Sequence, residues 1–172
     1  MAKLEFNDIS FEDIGSKIKI NFLRIFYTEI DKKELEKIGK FSVKENVIEF
    51  DASEAKANKK FNFLLATAFK NLKSKITGKN TIYVHQNSGI PLIGNQAFGL
   101  VDRNTSIIEV RVITGCNIDC VYCSVDQNQR PTDFVVEKDY LVQGFKELVV
   151  HKKINDIEAH IGTQGEPCFT LH

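Results

Sequence analysis

The sequence predicts an α/β protein, and two regions lead to that prediction. Strand-like and helix-like patterns alternate over residues 1–88, which is enough for a small N-terminal α/β module with its own core. A glycine-punctuated linker or hairpin follows at residues 89–106. Residues 107–172 then contain a strand, a helix and a second strand, which indicates a second α/β segment.

The N-terminal module is predicted from short periodic runs. Residues 18–22 alternate apolar with polar side chains, as in a half-buried strand, and Phe61, Leu65 and Leu72 share one side of a long helix that Gly78 ends. The predicted elements are a strand at 16–27, a short helix within 28–40, a strand at 47–50, the long helix and a strand at 81–84.

In the second segment, residues 107–113 form a predicted strand that leads into a cysteine-rich loop. Helical spacing follows at about residues 137–152, and residues 156–161 predict the next strand. A loop at the C-terminal end of a strand is where α/β barrels place their chemistry. On the first strand Glu109 and Arg111 share a face. If that face points into a barrel, Arg111 could contact a carboxylate or a substrate; the alternative is a salt bridge near the surface.

Three of the four cysteines, Cys116, Cys120 and Cys123, lie within eight residues. Structural zinc takes four protein ligands, and closed iron-sulfur clusters take four cysteines, but no fourth ligand follows at short spacing. Cys168 lies far away in the sequence and is expected to be a packed thiol. The spacing therefore favours a site-open four-iron, four-sulfur (4Fe-4S) cluster, with a zinc site or inert thiols as the alternatives.

The pattern Cys116-x3-Cys120-x2-Cys123, with Tyr122 before the last cysteine, resembles the cluster motif of the radical S-adenosylmethionine (radical SAM) superfamily. The glycine-rich stretch ahead of it is similar to uncharacterised archaeal radical SAM iron-sulfur oxidoreductases. The resemblance implies that S-adenosyl-L-methionine binds the open iron and is cleaved reductively to a 5'-deoxyadenosyl radical. Tyr122 would then support the adenine or shield the cluster, the alternative being an ordinary packed aromatic.

A second loop, at Gln164, Gly165, Glu166 and Pro167, is similar to the Gly-Gly-Glu-Pro turn of that superfamily. In the family this turn receives the methionine ammonium through a backbone carbonyl and an acidic side chain. Glu166 is therefore the expected ammonium partner. Gln164 replaces the family's first glycine, which bears on the local backbone angle more than on the chemistry, because a carbonyl acceptor does not depend on the side chain.

The resemblance also implies a fold for residues 107–172. They would be the first βα unit and the second strand of a partial (βα)6 TIM-type barrel. The family's barrel has about six such units, so we expect this chain to be an N-terminal fragment that is inactive alone. The cofactors would be the 4Fe-4S cluster and S-adenosyl-L-methionine, and an electron donor such as ferredoxin or flavodoxin would be a partner.

Composition restricts the other partners. The formal net charge is zero and the pI is about 6.9, so nucleic-acid binding is not indicated. No run of 18 apolar residues and no signal peptide are present, so we expect no membrane association and a cytoplasmic location. The leading interpretation is a radical SAM enzyme of oxidoreductase or transferase type with an unknown substrate. The alternative is a non-catalytic zinc or iron-sulfur module with a partner-binding α/β domain.

Overall fold

The computed structural model describes residues 1–116, 118, 120–123, 125, 130–162, 165–166 and 168. Within these residues there are twelve β-strands and three α-helices, and the chain divides into two compact units, Met1–Lys75 and Ile76–His172. In chain order the elements are β1 (Ala2–Glu5), β2 (Ile9–Asp13), β3 (Lys17–Phe22), β4 (Phe26–Asp31), α1 (Lys32–Glu36), β5 (Phe41–Lys44), β6 (Val47–Phe50), α2 (Glu54–Phe69), β7 (Lys73–Ser74), β8 (Asn80–Val84), β9 (Gly99–Asp102), β10 (Ile107–Arg111), β11 (Thr132–Val136), α3 (Lys138–Lys152) and β12 (Glu158–Ile161).

The first unit is built from antiparallel strands around α2. Strands β1, β6 and β5 form one sheet, and β2, β3, β4 and β7 pair in sequence as neighbours in another. Phe61 of α2 is fully buried, and the rings of Phe6, Phe11 and Phe50 surround it with centroids 5.8–6.0 Å away. Aromatic burial on this scale gives the first unit its own hydrophobic core.

The second unit combines parallel and antiparallel pairing. β8 and β11 are parallel, while β10 lies between antiparallel β9 and parallel β12. Leu141 and Leu148 of α3 pack with Leu100, Ile108 and neighbouring residues in one buried apolar cluster. This cluster holds the strand from which the cysteine loop departs.

The predicted fold class is wrong. The residues that the structure describes form a multi-sheet, mainly β structure with few helices, and they contain no start of a (βα)6 TIM-type barrel. In such a barrel every strand is parallel to its neighbours and is followed by a helix. Here β10 has the antiparallel strand β9 on one side, and the next element after it in the described part of the chain is the strand β11.

The first module was mispredicted for a local reason. The predicted strand at 16–27 is the hairpin β3–β4, whose turn places Leu23 and Arg24 at φ of 46° and 63°. Glycine, asparagine or aspartate ordinarily marks a turn of that kind, and none is present here. The helix predicted within 28–40 shrinks to α1, because β4 continues to Asp31.

Candidate functional site

The cysteine loop starts from a fixed point in the second unit. Beyond β10, Ile113 forms an antiparallel bridge with Val135 of β11. Thr114 is 1% exposed, and its backbone N–H donates to the Phe134 carbonyl over 3.0 Å. The chain is therefore held in place two residues before Cys116.

The three predicted ligands lie at the surface end of this loop. Cys116 and Cys120 are half-buried and Cys123 is exposed. The Ile118 N–H donates to Cys116 Sγ over 3.4 Å, and the Cys123 N–H donates to the Cys120 carbonyl over 2.9 Å, which closes a turn. Hydrogen bonds to sulfur are also found around the cysteines that bind iron-sulfur clusters.

The donor set fits a cluster in its chemistry, because three soft thiolates are the ligands that iron-sulfur sites use. Cys123 Sγ, however, donates to the Val125 carbonyl over 3.2 Å. Among the residues that the structure describes, no three His, Cys, Asp or Glu side chains are grouped so as to hold a metal ion. Cluster binding by these cysteines thus stays a prediction.

Tyr122, the predicted adenine support, is 85% exposed. It contributes nothing to the buried core around Leu100 and Ile108, and its side chain is open to a ligand at the cysteine loop. Its role toward a cofactor also stays a prediction.

The second predicted loop lies directly against the first. The Glu166 N–H donates to the Gly115 carbonyl over 3.0 Å. A Cβ on Gly165 would be 2.5 Å from the Gly115 carbonyl oxygen and 2.7 Å from that of Ile113, so only glycine allows this approach. Gln164 and Pro167 lie outside the described residues.

Two motifs that are distant in the sequence therefore meet through their backbones. β12 brings the second loop there, because it pairs in parallel with β10 and ends beside it. The Gly162 N–H donates to the Val110 carbonyl over 3.0 Å, which continues that pairing beyond β12. Adjacent parallel strands place both following loops at the same edge of the sheet.

Glu166 is charged and accessible. Its carboxylate oxygen Oε1 accepts the Cys168 N–H over 3.0 Å, and hydrogen bonding from Cys168 holds the pKa of Glu166 below its usual value. The same carboxylate raises the pKa of the Cys168 thiol. At neutral pH the pair is therefore a carboxylate next to a protonated thiol, which suits Glu166 as an acceptor and makes Cys168 a poor ligand.

A network of ion pairs lies on β10, at the end of the strand that leads into the cysteine loop. Arg111 is 6% exposed and binds Glu109, which also accepts from Arg103 Nε over 2.6 Å. The two arginines lower the pKa of Glu109, the bond from Arg103 having the larger effect. Of the two roles predicted for Arg111, the structure contains the salt bridge.

A buried carboxylate at the base of the loop escaped the sequence analysis. Asp133 of β11 is 3% exposed and accepts from Thr77 Oγ1 over 2.6 Å. Thr114 Oγ1 lies 3.4 Å from its other oxygen. The β-favouring run Phe134-Val135-Val136 was the available signal for a strand, but an aspartate within a short run after proline is more typical of a loop.

Comparison with known proteins gives one informative match. An uncharacterized protein of Methanocaldococcus jannaschii is 38% identical to this chain over 168 residues, which cover 93% of the chain. The chain spans 37% of the length of that curated relative. No protein family and no solved structure matches the chain. No helix in the described part of the chain is long and apolar enough to cross a membrane.

Proposed function

We propose that this protein is a radical SAM enzyme. The observation that supports this most is the backbone contact between the two loops, in which Glu166 donates to the Gly115 carbonyl and Gly165 lies against residues 113–115. A metal module without a cofactor has no need for an acidic loop beside its ligands. An enzyme that binds S-adenosyl-L-methionine at its metal needs an ammonium acceptor there.

Each residue has a chemical role in this proposal. Cys116, Cys120 and Cys123 hold a 4Fe-4S cluster with one iron open. Such a cluster supplies the electron that cleaves S-adenosyl-L-methionine to a 5'-deoxyadenosyl radical, which acts on an unknown substrate. Glu166 binds the methionine ammonium, and Tyr122 supports the adenine.

The surroundings of Glu166 suit that role. Among the described residues, its carboxylate has hydrogen bonds with the neutral N–H and thiol of Cys168, and Cys168 is exposed to solvent. A cationic ammonium makes a stronger, charge-assisted hydrogen bond with a carboxylate than either neutral donor does. The cofactor would therefore replace these contacts without a buried charge being left unpaired.

By the same resemblance, a backbone carbonyl of the turn would accept the ammonium together with the Glu166 carboxylate. An electron donor such as ferredoxin or flavodoxin would reduce the cluster. The proposed location is the cytoplasm, because metal binding needs reduced thiols and that compartment keeps thiols reduced. The relative is much longer than the region that this chain matches. The reaction type of the whole protein, an oxidoreductase or a transferase, is therefore also a proposal.

Anaerobic reconstitution with iron and sulfide tests the proposal. The 172-residue protein should gain the brown absorbance of a 4Fe-4S cluster. Cys116→Ala, Cys120→Ala and Cys123→Ala should each lose it, whereas Cys168→Ala serves as the matched control and should keep it. Tight zinc binding with no iron uptake would favour the non-catalytic module instead, and equal iron loss in the Cys168 variant would contradict the ligand assignment.

A further inference from the structure

The buried carboxylate of Asp133 is the centre of a hydrogen-bond network at the base of the cysteine loop. Thr77 Oγ1 donates to its Oδ2 over 2.6 Å, and Thr114 Oγ1 donates to its Oδ1 over 3.4 Å. Asp133 and Thr114 are 3% and 1% exposed, so water does not compete freely for these bonds. Hydrogen bonds to a charged group are stronger than those between neutral groups.

The backbone contacts of the two threonines determine where each hydroxyl donates its proton. Thr77 Oγ1 accepts the Lys79 N–H over 3.3 Å, and Thr114 Oγ1 accepts the Phe134 N–H over 2.8 Å. Each hydroxyl therefore accepts from the backbone and donates its own proton to Asp133. A carboxylate is an acceptor at both oxygens, so it can satisfy two such donors at once. An asparagine at this position would present an NH2 group to one of them.

Asp133 leaves no free room beside Gly115, the residue between Thr114 and Cys116. A Cβ on Gly115 would lie 3.3 Å from Asp133 Oδ2. The Gly115 carbonyl meanwhile accepts from Glu166. The carboxylate thus restrains Thr114, the neighbour of the residue whose carbonyl holds the Glu166 loop, and buried hydrogen-bond networks that are satisfied are rigid.

We propose that Asp133 is a positioning residue that acts through its hydrogen bond with Thr114. It fixes the start of the cysteine loop, and with it the Gly115 carbonyl on which the Glu166 loop docks. The further statement that Asp133 positions a ligand of the cluster, Cys116, rests on the proposed function. The restraint on Cys116 itself does not depend on any metal.

The test measures thiol alkylation in the reduced, metal-free 172-residue chain. Iodoacetamide modification of Cys116 is followed by peptide mass spectrometry, with N-acetylcysteine added as a rate standard. The variants are Asp133→Asn and Thr114→Val, with Thr114→Ser as the conservative rescue. Glu147→Gln, at an exposed position of α3, is the control for loss of one negative charge.

Asp133→Asn and Thr114→Val should each raise the Cys116 rate about tenfold, because losing a buried hydrogen bond of this kind favours local opening by about that factor. Thr114→Val does so without a change in charge, so an equal effect in both variants identifies restraint rather than electrostatics. Thr114→Ser and Glu147→Gln should stay close to the wild-type rate. Cys123, which is already exposed, should react at an unchanged rate in every variant.

Wild-type rates in both Asp133→Asn and Thr114→Val would overturn the proposal. If Asp133→Asn fails to fold by circular dichroism, the Thr114→Val and Thr114→Ser pair decides. Reconstituted protein supplies a second readout: Asp133→Asn should change the electron paramagnetic resonance signal of the reduced cluster, and Glu147→Gln should not. A wild-type chain that takes up no iron would refute the proposed function while the alkylation result still judges the role of Asp133.

Discussion

Replacing Gly165 by alanine should separate the two loops. The new Cβ would be 2.5 Å from the Gly115 carbonyl oxygen, 2.7 Å from the Ile113 carbonyl oxygen and 2.8 Å from the Thr114 carbonyl carbon. All three obstacles are backbone atoms, so no rotamer change relieves them. The second loop must move away, and the Glu166 N–H then loses its acceptor.

The expected loss is about 1.5–4.5 kcal/mol, from about 1–3 kcal/mol of overpacking and about 0.5–1.5 kcal/mol for one hydrogen bond. Because the second loop can detach without global unfolding, the assay is hydrogen exchange at the Glu166 amide, which should speed up by at least about tenfold. Gly144→Ala is the matched control. Its Cβ would be 2.7 Å from Leu92 Cδ1, a flexible side-chain end, and alanine is favoured in a helix by about 1 kcal/mol.

Unchanged exchange at Glu166 in the Gly165→Ala protein would refute the account of how the loops meet. A similar acceleration at the Glu166 amide in the Gly144→Ala protein would also count against it, because the effect would then reflect general destabilisation. The specific outcome is fast exchange at Glu166 in the first variant and ordinary protection in the second.

Three further predictions concern charge and packing. Glu166→Gln should speed alkylation of Cys168 near neutral pH, because the carboxylate raises the pKa of that thiol; an unchanged rate in a titration from pH 6 to pH 9 would contradict the pairing. Arg111→Met should lower the free energy of unfolding in urea by about 1–3 kcal/mol, because Glu109 loses one of its two arginine partners. An unchanged free energy would mean that the attraction between Arg111 and Glu109 only offsets the cost of removing them from water. Phe61→Ala should cost about 3–5 kcal/mol in the first unit, measured by its own unfolding transition, and a loss below about 1 kcal/mol would show that the aromatic cluster is not its core.

Elements with strong periodicity could be predicted from the sequence. The strands at Val47–Phe50 and Ile107–Arg111 and the helix at Lys138–Lys152 were found close to their predicted positions. β1, β2 and β5 were missed, because runs of four or five residues with charged members resemble loops. Pairing was the larger failure: local patterns do not reveal that β10 takes an antiparallel neighbour, so the barrel was inferred from resemblance and was wrong.

The candidate site, like the fold, could be predicted only in part from the sequence. Cysteine spacing and the turn residues identified two loops from the sequence, and the structure brings Gly115 and Glu166 into hydrogen-bond contact. Asp133 could not be found, because its importance comes from burial and from partners on other segments. No local pattern records that a carboxylate is almost fully enclosed and bound by two threonine hydroxyls.

The most direct test of the proposed function is electron paramagnetic resonance of the reduced, reconstituted protein with and without S-adenosyl-L-methionine. Binding at an open iron changes the ligands of the cluster, so the spectrum of the wild-type protein should shift when the cofactor is added. Glu166→Gln should need more cofactor for the same shift, because an amide binds an ammonium less strongly than a carboxylate does. A wild-type cluster whose spectrum is unchanged at saturating cofactor would contradict the proposed function.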